Sequence, residues 1–474
     1  MGKNLSTLSA FELIDRRSFL EVTGLGLAGL ASGALIKSDS LASPTSNEQP
    51  GEKRPNIILL IADDTGWRDV GYHGSKIDTP NLDRLARNSV VLEQFYSCPT
   101  CSPTRASLLM GRPASRFGIL APIAGRSELS LPLGKPTLAS FLRDTGYETA
   151  LIGKWHLGLK PEVGPRQYGF DHSYGYLHGQ IDQFSHIYKN GDRTWHRDEK
   201  FIDEKGHATD LMAGEAIRMI QAGDKSKPFF LYVSFSVPHY PLQEEEKWVK
   251  PYESRIANKS RRLYAASMTH MDDALGRILR ALEEKNLATE TLVVFMSDNG
   301  AQENWMVTEG EYEGRHGPND RLGDNLPFRG WKGSCYEGGI RVPALFYKPG
   351  ALAPCQVNLP FHVIDLVPTL ADFAQAKVPP SMEAEGIDIR PALTGKFLPV
   401  ERTLYWNTGG QLAVRRGDWK LIHNGPSLTE GTDELYNIAE DPYEKKNLVQ
   451  GKFTLAGQMR EILAREMALD RAGE

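Results

Sequence analysis

Cysteine is scarce in this chain: Cys98, Cys101, Cys335 and Cys355 are the only four in 474 residues. A set so sparse excludes the disulfide framework of a small secreted scaffold, and each cysteine has to be explained by its own surroundings. A surplus of positive charge is also missing. Lys and Arg total 55 against 60 Asp and Glu, for a formal charge of -5, which excludes the broad basic field that nucleic acid or an acidic membrane surface selects. An anionic ligand must therefore be held by a local cluster of cations. No apolar run reaches the roughly 20 residues that a spanning helix needs, and no internal repeat is visible. What remains is ordinary: 40% hydrophobic residues and 45 glycines suit a globular chain with a sizeable core. The length accommodates two or three domains, or one large α/β domain with an appendage.

The first residues carry an address. Asp15, Arg16, Arg17, Ser18, Phe19 and Leu20 precede a mildly apolar, Gly-rich stretch over 22–36, followed by the small-x-small pattern Ser40, Leu41, Ala42. The order resembles a twin-arginine export signal. It implies cleavage near Ala42, a signal over 1–42, the twin-arginine export machinery as a partner, and a periplasmic or secreted mature protein without a stable membrane span. Residues 43–54 turn to Ser, Pro, Asn, Glu and Lys and read as a linker, so the fold is expected to begin near Pro55.

Strand-length apolar runs occur at 56–62, 149–152, 228–234 and 291–296. Helical spacing of apolar residues predicts helices over 80–92, 137–145, 261–285 and 362–376. Apolar strands alternating with helices predict an α/β fold, a large mostly parallel or mixed sheet covered by helices on both faces. Beyond about Pro379 the texture changes. Short strand patterns at 402–407, 412–414 and 419–423 and a helical tail over 453–472 predict a smaller antiparallel C-terminal subdomain. The catalytic domain is thus expected over 55–378 and the subdomain over 379–474.

Polar clusters follow four of the strands: Asp63-Asp64-Thr65-Gly66, Gly153-Lys154-Trp155-His156, Pro238-His239 and Ser297-Asp298-Asn299-Gly300. In a parallel sheet the C-terminal strand ends share one rim, where ligands bind, so these segments should converge. Asp63, Asp64, Asp298 and Asn299 are hard oxygen donors, which favour calcium or magnesium over zinc. Singly, each is an ordinary turn or cap residue.

Cys101 opens the segment CSPTRASLLMGR. Ser102 as N-cap, Pro103 in the first turn and Gly111 at the end predict a helix to about Met110, with Cys101 at its anion-favouring N-terminus. Two other readings of Cys101 are open at this point. It can be a buried thiol, or half of a CxxC redox or zinc pair with Cys98, although no second CxxC or histidine pair completes a zinc site.

CSPTRASLLMGR resembles the signature of the formylglycine-dependent sulfatases, CxPSR followed by a leucine and GR. IADDTGW, IGKWHLG, VPHYPL, MSDNG and GWKGSCYEGGIRVP resemble the family's other motifs in the same order. The resemblance runs from about Pro55 into the C-terminal subdomain and departs from the pattern at Met110 and in the additional Cys98. It implies an alkaline-phosphatase-like fold and conversion of Cys101 to formylglycine (3-oxoalanine) by a maturation enzyme. It also implies a calcium ion held by Asp63, Asp64, Asp298, Asn299 and an oxygen of the modified Cys101. One hydroxyl of the hydrated aldehyde attacks sulfur and the other expels sulfate. Lys154 and Lys332 are then suited to stabilising the sulfate oxygens, Arg105 to orienting the modified residue, His156 to acting as the base for elimination, and His239 with Lys332 to protonating the leaving oxygen.

The segments YGFDHSYGYLHGQIDQFSH and NLPFRGWKGSCYEGG are most similar to the arylsulfatase B branch. They imply a sulfated saccharide substrate, first a galactose or N-acetylgalactosamine 4-sulfate, with Asp182, His186, Arg315 and His316 as sugar contacts. Three rivals stand beside this reading: a phosphonate monoester or phosphodiester hydrolase with the same site, a catalytically inactive carbohydrate-binding relative, and a CxxC redox protein.

Overall fold

In the computed structural model, which describes residues 53–223, 226–307, 310–398 and 401–470 together with the extended pair Leu13–Ile14, the run Asn56–Ala62 lies at the centre of a mixed eleven-stranded sheet. Arg16, Arg17, Ala42 and the linker up to position 52 lie outside the described residues. Thr291–Ser297, Asn56–Ala62, Phe229–Ser234, Glu148–Lys154 and His172–Tyr176 run parallel in that order. Antiparallel strands flank them: Ala344–Tyr347 beside Thr291–Ser297, and Trp195–Arg197 beside His172–Tyr176.

The central strands are continuously apolar because both faces are covered. Ile57, Leu59 and Ile61 enter one core with helices Cys101–Met110, Leu138–Asp144 and Leu366–Phe373. Ile58, Leu60 and Ala62 enter a second core with Pro80–Arg87, Ala208–Ala222 and Lys259–Glu284. The strand period of 2 sends alternate residues to opposite layers.

Several predicted boundaries move. The helix expected over 80–92 ends at Arg87, because the Val90–Leu92 run pairs as a strand with Ala344–Tyr347 and Cys355–Val357. The helix expected to be capped by Ser102 starts two residues earlier, at Cys101 with Thr100 as the N-cap residue. The Ser102 hydroxyl is used elsewhere, donating to His156 O at 2.8 Å and accepting from Ile123 N at 3.0 Å. The tail helix stops at Met467, short of 472, and Asp470 turns back to accept hydrogen bonds from Arg116 and the Tyr405 hydroxyl.

The small C-terminal sheet has four antiparallel strands, Thr403–Asn407, Gln411–Arg416, Trp419–Ser427 and Glu430–Asn437. The last was invisible in the sequence, since EGTDELYN exposes most of its polar length and buries only Leu435 and Tyr436. One face of the sheet, with Leu404, Trp406 and Ile422, packs against Tyr96, Cys335 and Ile340 of the larger layer. The other is covered by helix Phe453–Met467 through Ala456, Met459 and Leu463. Met382, Ile389, Ala392 and Leu393 belong to the first large core, so the segment before the small sheet packs with the main layer.

Candidate active site

The C-terminal ends of the parallel strands bring the four polar clusters to one buried point. Asp63 follows Asn56–Ala62, Lys154 ends its strand, and Asp298 and Asn299 follow Thr291–Ser297; all four side chains are fully buried. Lys154 Nζ donates to Asp63 Oδ2 at 2.7 Å, and Lys332 Nζ lies 2.7 Å from Asp64 Oδ1 and donates to Oδ2 at 2.9 Å. Asn299 Nδ2 donates to Asp64 Oδ1 at 2.7 Å, and Asp64 N donates to Asp298 Oδ1 at 3.2 Å. Arg105, wholly buried one turn into the Cys101 helix, ties three strands together. It donates to Asp298 Oδ2 at 2.8 Å, Lys154 O at 2.9 Å and Ser234 Oγ at 2.5 Å.

Burial pushes the Asp63 carboxyl up, with Asp298 and Asp64 adding to the effect and Lys154 opposing it. Burial acts the same way on Asp64, but Lys332 and His239 outweigh it and hold that carboxyl down. Burial thus penalises the ionised form of both carboxyls, and the neighbouring cations offset that penalty more for Asp64 than for Asp63. Two buried acceptors, Asp63 Oδ1 and Asn299 Oδ1, have no hydrogen-bond partner. Leaving each unpaired costs about 1–3 kcal/mol, and a cation beside them removes that cost. Ligand atoms of Asp63, Asp64 and His239 lie within 4.8 Å of one another. Together with Asp298 and Asn299 this is a largely oxygen donor set that fits a hard divalent ion.

Cys101 is 2% exposed. Burial raises its thiol pKa, while Lys154 and Lys332 act in the opposite direction from nearby. Cys98 is buried against Ser107, with Sγ to Oγ at 3.4 Å, and its thiol is pushed up to about 11 by burial. A redox dithiol needs a lowered thiol pKa. Both cysteines of the CxxC are free thiols shifted the other way, so this environment does not support the redox reading.

His156 and Asp64 both adopt left-handed backbone angles, φ 57° and 68°, an uncommon conformation outside glycine that turns their side chains out of the strand ends. His156 Nε2 hydrogen-bonds Ile123 O at 2.9 Å, while its buried Nδ1 has no partner. Burial and the charges of Lys154 and Arg105 keep this imidazole neutral, so with the proton on Nε2 the bare Nδ1 is a base. Gly179 holds the ring in place: a Cβ there would stand 2.5 Å from His156 Cε1 and Nε2. His239 donates Nδ1–H to Tyr240 O at 2.5 Å and presents Nε2 toward Asp64 Oδ2 at 3.8 Å. Burial and Lys332 depress its pKa well below the usual histidine value.

The four expected sugar contacts divide. Asp182 accepts from Ser185 N at 2.8 Å, Phe184 N at 3.0 Å, His316 Nε2 at 3.0 Å and Gln243 Nε2 at 3.2 Å, with Arg315 NH1 at 3.9 Å. Its oxygens are occupied by the protein, so it holds the loop bearing Arg315 and His316. The Tyr240 hydroxyl reaches His316 O at 3.3 Å, which brings that loop beside His239. His186 is stacked on Trp195 at 4.5 Å with Nε2 on Gly206 O, and its backbone N donates to Asp182 O at 2.9 Å. Sequence reasoning passed over Ser234, Gly179 and the stacked Tyr240–Trp305 pair, whose ring centroids are 4.8 Å apart. A serine in a strand, a glycine in a loop and a lone tryptophan carry no chemical pattern until the fold assembles them.

The comparisons with known proteins agree with this arrangement. The sulfatase family model matches residues 55–376. Arylsulfatase J of Mus musculus is 30% identical over 461 residues, covering 84% of this chain and 73% of its own. N-acetylgalactosamine-6-sulfatase of Mus musculus is 31% identical over 408 residues, covering 80% of this chain and 75% of its own. Among solved structures, Ps i-CgsB superposes with a TM-score of 0.80 at 30% identity over 89% of this chain and 94% of that one, and has also been solved in complex with k-i-k-neocarrahexaose. Helices on both faces of the mixed sheet, with a separate small antiparallel sheet, form the alkaline-phosphatase-like fold expected from the motifs. Since the family model spans ten of the eleven strands of the large sheet and relatives match most of the chain's length, this chain belongs to the sulfatase family and is a sulfuric ester hydrolase.

Proposed function

We propose that the chain releases sulfate from a sulfated saccharide, with Cys101 converted to formylglycine beside a calcium ion held by Asp63, Asp64, Asp298, Asn299 and the modified residue. The observation that carries this reading is the buried juxtaposition of Cys101 with Lys154, Lys332, Asp298 and Asp63, in a cluster where oxygens of Asp63 and Asn299 are unpaired. Hydrated formylglycine would supply one hydroxyl to attack sulfur with loss of the sugar alcohol and a second to expel sulfate as the aldehyde re-forms, and calcium would supply positive charge for the sulfate oxygens.

The chain's own residues do the rest. Lys154 and Lys332 neutralise the sulfate oxygens as the ester bond breaks; a unit charge pair at about 4 Å is worth about 4 kcal/mol at an effective dielectric near 20. Arg105 fixes the helix carrying residue 101 against Asp298. The bare Nδ1 of His156 takes the proton in the elimination. His239, neutral in the free site, would take a proton from solvent at Nε2 when the anionic ester binds beside it and, with Lys332, would pass that proton to the leaving alcohol oxygen.

Arg315 and His316, positioned by Asp182, face the sugar; His186 serves the packing of its loop. The saccharide we propose first is a galactose or N-acetylgalactosamine 4-sulfate, while the 6-sulfatase relative makes the 6-position the comparison that matters. The signal over 1–42 exports the chain through the twin-arginine machinery to the periplasm or beyond, after a formylglycine-generating enzyme has acted. Among the described residues no helix is long and apolar enough to cross a membrane.

The test is sulfate release from position-defined sulfated saccharides by protein whose residue 101 conversion has been measured. Release from 4-sulfated galactose-type sugars alone supports the proposal. Release from 6-sulfated sugars alone refutes the position, and faster cleavage of aryl phosphonates than of any sulfate refutes the substrate class.

A further inference from the structure

Lys332 is not held by its own segment alone. The stretch that follows it, through Glu337–Ile340, is pinned to the C-terminal sheet by a fully buried ionic cluster. Lys420 Nζ, on strand Trp419–Ser427, donates to Glu337 Oε1 at 2.8 Å and lies 2.9 Å from Glu444 Oε1. Glu337 N donates to Glu444 Oε2 at 2.8 Å, and the Tyr96 hydroxyl donates to Glu337 Oε2 at 2.7 Å. Arg415, from the neighbouring strand, contacts that same hydroxyl. Lys420 and Glu337 are both wholly buried.

Further ties run the same way. Gln411 Oε1 accepts from Cys335 N at 2.5 Å, and Trp406 Nε1 donates to Ser97 O at 2.8 Å. The two segments so gripped are those that lead to the reactive groups. Tyr96 and Ser97 enter the turn before Cys101. Lys332 stands five positions before Glu337, and its neighbour Gly333 N donates to Pro99 O at 2.7 Å. A buried charge without its partner is far costlier than either partner at the surface, so the cluster admits few geometries. Fixing it fixes the segments on both sides of Cys101.

We propose that Lys420 is a positioning residue for the reaction: through Glu337 it sets where Lys332 stands relative to Asp64 and residue 101. The C-terminal sheet is thereby a functional part of the active site, although the family model ends at residue 376. This inference rests on the role given to Lys332 above.

The test is a double-mutant cycle on aryl sulfate turnover, using full-length protein with residue 101 conversion quantified. Because Lys420 also faces the buried Glu444, the change used is Lys420→Met with Glu337→Gln and Glu444→Gln, which leaves no carboxylate of the cluster without its cation and is expected to lower kcat by about 10-fold or more, since small misplacements of catalytic groups have large effects on rate. In a Lys332→Ala background the same change is expected to alter kcat by less than about 2-fold, because the group it positions is gone. Lys420→Arg, which keeps the charge, is expected to give a smaller loss with the same non-additivity, and it stands in if the first variant does not fold. An equal loss in both backgrounds, or unchanged kcat in folded Lys420 variants, would overturn the inference. If Lys332→Ala alone keeps full activity, the failure belongs to the role of Lys332 instead.

Discussion

Replacing Gly179 by alanine probes the close approach that, with the hydrogen bond to Ile123 O, sets where His156 points. The added Cβ would sit 2.5 Å from His156 Cε1 and Nε2 and 3.2 Å from Cδ2, where ordinary contact begins at 3.4 Å. The ring therefore has to withdraw by about 0.9 Å, and the 2.9 Å hydrogen bond from Nε2 to Ile123 O has to bend or break with it. A displacement of about 1 Å at a catalytic group costs on the order of 100-fold in rate, equivalent to about 2.7 kcal/mol. Overpacking of the site adds about 1–3 kcal/mol of destabilisation. The assay is kcat on an aryl sulfate beside a thermal melt, each with residue 101 conversion measured. A His156→Ala background is the control: there Gly179→Ala should cost little further activity, because no ring remains to displace. Gly179→Ala within about 2-fold of wild type at full conversion would refute both the placement of His156 and its assignment as the base.

Three other outcomes follow from the same geometry. Arg105→Met strands the buried Asp298 carboxylate and is expected to destabilise the fold by about 3–5 kcal/mol in urea unfolding, as well as abolishing turnover; a change under about 1 kcal/mol would contradict the central role of this ion pair. His239→Ala should slow an alkyl or saccharide sulfate far more than an aryl sulfate with a good leaving group, and equal losses would remove His239 as the acid. On helix Lys259–Glu284, burial lowers the pKa of His270 but hydrogen bonds to Asp210 and Glu244 outweigh it and raise it from 6.5 to about 9. The raised value means that His270 contributes stability that is complete below pH 6.5 and is lost as pH rises through about 9. The melting temperature of wild type should fall across that window, while that of His270→Gln should lack the decrease; parallel curves would refute the assignment.

Much of this architecture was legible because covalent order and physical period coincide. The run Asn56–Ala62 is apolar from Ile57 onward and β-branched-rich at strand length, as a strand buried on both faces requires. Its polar sequel, Asp63-Asp64, then had to emerge at the sheet's ligand-binding rim. Boundaries were less legible where two elements compete for one pattern. Helix 80–92 was overread because Val90–Leu92 continues the apolar spacing, and the edge pairing that claims it lies far along the chain. Ser102 has the chemistry of an N-cap, but its hydroxyl serves His156 and Ile123, partners that exist only after folding. The sugar-facing loop shows the same limit. Asp182 and His186 look alike in sequence as polar loop residues, yet one organises Arg315 and His316 while the other stacks on Trp195.

The account stands most directly on residue 101. Protein prepared with graded degrees of maturation should be digested, the peptide carrying position 101 weighed, and aryl sulfate turnover measured on the same samples. The account predicts that activity rises in proportion to the fraction of aldehyde at position 101, extrapolates to zero for the unconverted thiol, and is absent in Cys101→Ala. Full turnover by protein whose residue 101 remains cysteine would contradict it.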